Sequence, residues 1–153
     1  MTPFTKRMVI QGRTPEDVFG FITDPANDPL WRESAGSFEW LTEETEGVGS
    51  RFRATDRLAW FNINYEVEVT QWSPPHVYGA RSGGMATVEF TATLKPEGDL
   101  ATAVELEGWA EFNGLLRLLG PMLGKQFTKQ FGLEWDNLKQ VLEATDHPTT
   151  NAP

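Results

Sequence analysis

Residues 116–142, LRLLGPMLGKQFTKQFGLEWDNLKQVL, carry the strongest helical pattern of the chain. Apolar side chains recur every three or four residues, which places them on one side of an α-helix: Leu116, Leu119, Leu123, Phe127, Phe131, Trp135, Leu138 and Leu142. A helix over residues 121–144 would be roughly 36 Å long at about 1.5 Å per residue. Such a helix is long enough to cross a whole β-sheet.

The region before this helix alternates with a period of two, which is typical of β-strands with one buried face. In residues 63–70, INYEVEVT, apolar and aromatic side chains alternate with polar ones, and turns rich in glycine and proline separate this stretch from its neighbours. The pattern predicts strands over residues 4–11, 37–44, 50–57, 63–70, 76–82, 85–95 and 100–112.

Two short helices are predicted after the first strand. Thr14 is placed as the N-cap of the first, with Pro15 at its first position, and a second helix or turn covers residues 25–31. The order predicts an α+β fold, a curved antiparallel sheet of about seven strands wrapped around the long C-terminal helix. We expect one domain over residues 1–144 and a disordered tail over residues 145–153. Because a straight helix cannot touch a curved sheet along its whole length, we also expect a cavity between them.

Composition excludes several classes of function. The net charge of −9 would repel a nucleic acid backbone. There is no cysteine, and the two histidines, His76 and His147, supply too little material for a metal site or a histidine-based triad. No metal and no cofactor are therefore expected. No apolar stretch is long enough to span a membrane and no secretory signal is visible, so we expect a cytoplasmic protein.

Several short motifs occur in an order and spacing that resemble a known family. They are TPEDVF at residues 14–19, TDP at 23–25, Trp31, GVGSRF at 47–52, YEV at 65–67 and PP at 74–75. Together with the long helix, they resemble the polyketide cyclase/dehydrase and lipid-transport family of the START-like (SRPBCC) superfamily, over about residues 6–143. The resemblance implies a helix-grip fold with a deep pocket for lipids, sterols, polyketides or aromatic compounds. It implies no shared set of catalytic residues.

Strand parity and helical spacing select a set of inward-facing side chains, each of which either contacts a ligand or packs in the core. Trp31 either covers the pocket mouth or anchors the second short helix to the sheet. The predicted ligand-binding set is Trp31, Phe38, Trp40, Phe52, Tyr65, Val67, Tyr78, Phe90, Leu106, Leu119, Met122, Leu123, Phe127 and Phe131.

Few polar side chains are candidates for chemistry. Asp56 shares its parity with Phe52 and would point inward as a general acid or base, or it lies in solvent or pairs with an arginine. Tyr65 and Tyr78 would donate hydrogen bonds to a ligand carbonyl.

Other large side chains are assigned to the outer face of the sheet. Arg51, Arg53 and Arg81 are expected to balance acids there, and Trp72 and Trp109 to lie under a loop or in a homodimer contact.

Three functions follow from this reading. The first is binding of a small hydrophobic or aromatic molecule in the cavity. The second is cyclisation or dehydration of a polyketide-like substrate by an enzyme without a metal. The third is regulation through a protein partner, with a pocket that is vestigial and therefore filled or shallow.

Overall fold

The computed structural model describes residues 1–58 and 61–144; the predicted tail lies outside them. The first half of the chain forms β1 (Thr2–Gln11), α1 (Pro15–Ile22), a 3-10 turn (Pro25–Asn27), α2 (Asp28–Trp31), β2 (Ala35–Trp40) and β3 (Arg51–Leu58). The second half forms β4 (Phe61–Ser73), β5 (Val77–Gly83), β6 (Ala86–Pro96), β7 (Ala101–Phe112), a 3-10 helix (Gly114–Leu119) and α3 (Gly120–Ala144).

The seven strands form one antiparallel sheet in the order β1-β7-β6-β5-β4-β3-β2. Strands β2 to β6 each pair with the next strand along the chain, and β1 closes the order by pairing with β7, with Thr2 opposite Ala110. This arrangement confirms the predicted class, a curved antiparallel sheet around a long C-terminal helix with short helices after the first strand.

Helix α3 runs alongside β1 in the same direction. Gly124 lies against Thr2, the rings of Phe127 and Phe4 are 6.0 Å apart, and the Lys139 Nζ donates to the carbonyl oxygen of Val9. Residues before Gly124 therefore extend past the first residue of β1, the strand that this helix runs along. The C-terminal part of α3 packs into the core, where Leu138 and Leu142 are completely buried.

Local sequence explains how the short helices are held. Thr14 and Asp17 form a capping box, in which each side chain accepts a hydrogen bond from the backbone N–H of the other residue. The Asn27 amide donates to the carbonyl oxygen of Phe21. The Asn137 amide of α3 donates to the carbonyl oxygen of Trp31 at 2.7 Å. Helix α2 is thus fastened to both neighbouring helices.

Two predictions about the strands are wrong. The strand predicted over residues 37–44 is Ala35–Trp40, so it begins and ends earlier. Trp72, assigned to the outer face, packs against the core, with its ring 5.1 Å from that of Phe19. The register of β4 against β5 shifts between Val69 and Gln71, and such a bulge moves the following side chains to the other face.

The other outer-face assignments agree with the structure. Arg51 and Arg53 form ion pairs with Glu66, and Arg81 pairs with Glu89. The Arg81 guanidinium also lies 5.5 Å from the centre of the Trp109 ring, so that tryptophan is covered by an arginine on the outer face.

Candidate functional site

A cavity of about 380 Å³ lies between the sheet, α2 and α3. Its walls are mostly apolar, and several lining residues are exposed, among them Gly83, Met85 and Gln130. These exposed residues show that the cavity reaches the surface between the β5–β6 turn and α3. A concave, mostly apolar cavity of this size with a few polar groups is typical of small-molecule sites.

Most of the predicted aromatic residues line this cavity. Of the ligand-binding set, the structure brings together Trp31, Phe52, Tyr65, Val67, Tyr78, Phe90, Phe127 and Phe131. The rings of Phe90, Phe131 and Trp135 lie within 6.1 Å of one another, so they form a continuous aromatic wall. Trp31 stacks edge-on against Trp135 at 5.2 Å and so anchors α2 to α3.

Six predicted residues lie elsewhere. Phe38 and Trp40 form an aromatic cluster with Phe52 on β2 and β3, beside the cavity. Leu106 is buried in the core. Leu123 is half-buried and does not line the cavity.

The prediction that Leu119 and Met122 face inward is wrong: they are 49% and 59% exposed. The helical repeat continues through these residues, but they precede Gly124 and so lie beyond the start of β1.

The polar part of the cavity is built around Arg32, at the end of α2. Its Nη2 donates to the Asp56 Oδ2 at 2.5 Å, its Nε lies 3.5 Å from the Glu134 Oε1, and its Nη1 lies 3.8 Å from the Asp28 Oδ2. The hydroxyl of Tyr65 donates to the other Asp56 oxygen at 2.7 Å. We call these five residues the Arg32 cluster; all of them line the cavity.

Asp56 therefore points inward, as its parity predicted, and is also paired with an arginine, which combines two readings that the sequence left as alternatives. The partner is Arg32 of α2, and Asp56 is only 8% exposed. Ser34 adds a hydrogen bond to the same carboxyl at 3.3 Å.

Burial changes the acid–base properties of the cluster. It raises the pKa of the Asp28 carboxyl to about 7; Arg32 opposes this rise, while Asp56, Glu134 and Asp24 add to it. Burial likewise raises the pKa of Glu134, against the opposing effect of Arg32. Three carboxyls share one guanidinium, and a low local dielectric makes their mutual repulsion costly.

Burial also raises the pKa of the Tyr65 and Tyr78 hydroxyls, so both remain protonated at neutral pH.

Sequence reasoning missed Asp28, Arg32 and Glu134, although signals for them exist. Glu134 is seven residues after Phe127, which places a charged group on the apolar side of the helix. Asp28 and Arg32 are four residues apart, the spacing of an ion pair on one helical face.

Two features, a metal-binding cluster and a membrane-spanning helix, are absent from the described residues. Within residues 1–58 and 61–144, no group of three or more histidine, aspartate or glutamate side chains could hold a metal ion. In the same part of the chain, no helix is long and apolar enough to cross a membrane.

Solved structures share this architecture. A protein of Thermus thermophilus superposes with a TM-score of 0.75 at 19% identity, over 94% of this chain and 99% of its own. A START superfamily protein from Mycobacterium smegmatis gives 0.72 at 16% identity, over 94% and 96%. The di-domain ARO/CYC BexL from the BE-7585A biosynthetic pathway gives 0.74 at 12% identity, over 92% of this chain and 46% of BexL. At such identities these likenesses show the fold alone.

The molecule is thus a START-like helix-grip domain with an apolar internal cavity. The family model for polyketide cyclase/dehydrase and lipid transport proteins matches residues 1–143, and the chain belongs to that family. No protein of curated function matches the sequence. Family and fold together mark the chain as a hydrophobic ligand-binding domain.

Proposed function

We propose that the protein binds one small hydrophobic or aromatic molecule in the cavity between the sheet and α3, without changing it chemically. The observation that carries this proposal is the cavity itself, about 380 Å³ with mostly apolar walls that include nine aromatic side chains. Burying apolar ligand surface against these walls would supply about 25 cal/mol for each Å² removed from water. The vestigial-pocket alternative requires a filled or shallow cavity and is not favoured by this volume.

The first experiment is native mass spectrometry of the freshly purified protein, followed by denaturing extraction. A co-purified apolar molecule that is released on denaturation would support the proposal and identify its chemical class. A clean apo mass, with no thermal shift from a panel of lipids, sterols and aromatic polyketides, would contradict it. A ligand present at about 100 times its Kd stabilises the folded state by about 2.7 kcal/mol, so a thermal shift is readily measurable.

A pair of variants tests whether binding occurs in this cavity. Ala86 lines the cavity, whereas Lys95 lies on the same strand, is exposed and does not line it. Ala86→Trp should weaken binding of the neutral fluorescent probe Nile red by about tenfold or more, because the indole occupies the space of the ligand. Lys95→Trp should leave binding unchanged. Equal binding by both variants would place the probe elsewhere on the molecule.

A second candidate function is acid–base catalysis in the same cavity. It is favoured by the raised pKa of Asp28, about 7, and the raised pKa of Glu134, since carboxyls that exchange protons near neutral pH are suited to enolisation or dehydration. Conversion of a polyketide-like substrate that is lost in Asp28→Asn or Glu134→Gln, with binding retained, would establish catalysis. Binding without any turnover would favour the first proposal.

A further inference from the structure

Tyr78 and Asp28 line the cavity and have no hydrogen-bond partner for their side chains among the described residues; the buried indole N–H of Trp31 is another group of the wall without one. Tyr78 is only 6% exposed and lines the cavity. Its ring packs edge-on against Phe19, Trp72 and Phe90, but within the described residues nothing pairs with its hydroxyl. A ligand that pairs with this hydroxyl gains a hydrogen bond that no described residue supplies.

Asp28 is the second such group. Its charged neighbour Arg32 is 3.8 Å away, too far for a hydrogen bond, and no other described residue donates to its carboxylate. About 20% of its side chain remains exposed, and Asp28 lines the cavity. Both groups line the same cavity. They offer a ligand one charged acceptor and one hydroxyl.

The guanidinium of Arg32 already has three hydrogen-bond partners within the Arg32 cluster. Its Nη2 donates to Asp56, its Nε donates to Glu134, and its Nη1 donates to the hydroxyl oxygen of Tyr65. A ligand carboxylate that entered this end of the cavity would therefore meet three carboxyl groups and, among the described residues, no free cation. In a low-dielectric cavity, that arrangement repels an anion and attracts a cation.

We infer that the ligand carries a positively charged, hydrogen-bond-donating end, such as a protonated primary amine on a hydrophobic skeleton, held by Asp28 and Tyr78. This inference rests on the proposed function, because it names the chemical class of the molecule that occupies the same cavity. The amine donates to the Asp28 carboxylate and to the Tyr78 hydroxyl oxygen, and the apolar skeleton lies against the aromatic wall.

Three ligands with one skeleton test the preference for an amine. 2-Naphthylmethylamine, 2-naphthylmethanol and 2-naphthoate differ in their polar end and are used to displace Nile red at about pH 8, where Asp28 is mostly ionised. We expect the amine to bind at least about tenfold more tightly than the carboxylate, with the alcohol between them. A carboxylate that binds as tightly as the amine overturns the inference.

Three variants test the residues. Asp28→Asn should remove most of the advantage of the amine over the alcohol, and Tyr78→Phe should weaken the binding of both. Glu68→Gln removes one acid from an exposed position that does not line the cavity and is the control; it should change nothing. If Asp28→Asn still prefers the amine, this inference is wrong. The proposed function is unaffected by that result, because the variant still binds a ligand in the cavity. If none of the three ligands displaces Nile red, both the proposed function and this inference are wrong.

Discussion

At the scale of single residues, Arg32 joins three separate elements through their acids. Its guanidinium meets Asp28 of α2, Asp56 of β3 and Glu134 of α3. A buried charge is tolerated when it is paired, and removing one partner of a buried pair is far more costly than removing an exposed one. The polar end of the cavity is therefore fixed in place by one side chain.

The two cavity tyrosines differ in their hydrogen bonds, which gives a matched pair of substitutions. Tyr65 donates to Asp56 at 2.7 Å, and its oxygen lies 3.4 Å from Arg32, whereas the Tyr78 hydroxyl has no partner among the described residues. Tyr65→Phe should lower the free energy of unfolding by about 1.5 to 3 kcal/mol. Tyr78→Phe should change it by less than about 0.5 kcal/mol. Urea unfolding measures both, and equal losses would contradict the assignment.

Asp28 predicts a specific dependence of stability on pH. In the folded state its pKa is raised from 3.8 to about 7, so the folded protein keeps a proton that the unfolded chain releases. Stability from this group is therefore lost as the pH rises from about 4 to about 7.

Asp28→Asn should remove this loss. The variant should be more stable than the parent by on the order of 2 kcal/mol at about pH 8, and equal to it near pH 4. Glu134 contributes a slope of the same sign, and because its charge also raises the pKa of Asp28, the difference between the two proteins reports Asp28 together with this coupling. Parallel curves of stability against pH would contradict the raised pKa.

Among single residues, strand parity and helical spacing predicted the residues of the aromatic wall better than those of the Arg32 cluster. Phe52, Tyr65, Val67 and Phe131 could be placed because a side chain on an alternating strand or a helical stripe has one direction only. The partner of Asp56 could not be predicted, because Arg32 lies 24 positions away in the chain and reaches Asp56 only after α2 docks on α3.

At the scale of elements, the contact between β6 and β7 depends on a glycine. A Cβ atom on Gly108 would meet the ring of Phe4 at 2.8 Å and the Cα of Phe90 at 2.9 Å, besides the carbonyl oxygen of Glu89. Two of these three contacts are backbone atoms, which cannot rotate away. The close approach of these strands thus requires a residue without a side chain.

Gly108→Ala should lower the free energy of unfolding by about 1 to 3 kcal/mol, because overpacking at this position shifts backbone. Gly83→Ala is the control, since Gly83 lies on β5, has an ordinary φ and would meet nothing within 4 Å. Chemical denaturation of both variants measures the difference. A tolerated Gly108→Ala would mean that β7 can move away from β6 at little cost.

Element order and type could be predicted from periodicity, whereas local irregularities could not. Trp72 was assigned to the wrong face because the bulge between Val69 and Gln71 leaves no signal in an alternating sequence. The early end of β2 at Trp40 similarly depends on pairing with β3 rather than on its own residues.

At the scale of the whole molecule, α3 and the 3-10 helix before it extend past the start of β1. Leu115 and Leu118 of that 3-10 helix are 87% and 83% exposed, and they precede Gly124, the position that lies over the first residue of β1. No periodicity in residues 116–142 could reveal where the sheet beneath the helix begins. The predicted homodimer remains a prediction, and these leucines are exposed apolar groups that such a contact could use.

Substitutions of the exposed residues Leu115 and Leu118 should not affect folding. Leu115→Ser combined with Leu118→Ser should change the free energy of unfolding by less than about 0.5 kcal/mol, whereas Leu138→Ala in the buried part of the helix should cost about 2 to 5 kcal/mol. Thermal and urea unfolding compare them, and sedimentation velocity of the double variant tests the homodimer. A large loss of stability in the double variant would contradict the exposed placement of these leucines.

The pairing of β1 with β7 also bears on the order of events during synthesis. Thr2 lies opposite Ala110, so the first strand leaves the ribosome long before its neighbour exists. Until then the nascent chain exposes a sheet edge with unpaired backbone groups and an uncovered inner face, which are the surfaces that aggregate or recruit chaperones. Helix α3, which closes the cavity, is made later still. A ligand can therefore be enclosed only by a chain that has been synthesised through α3.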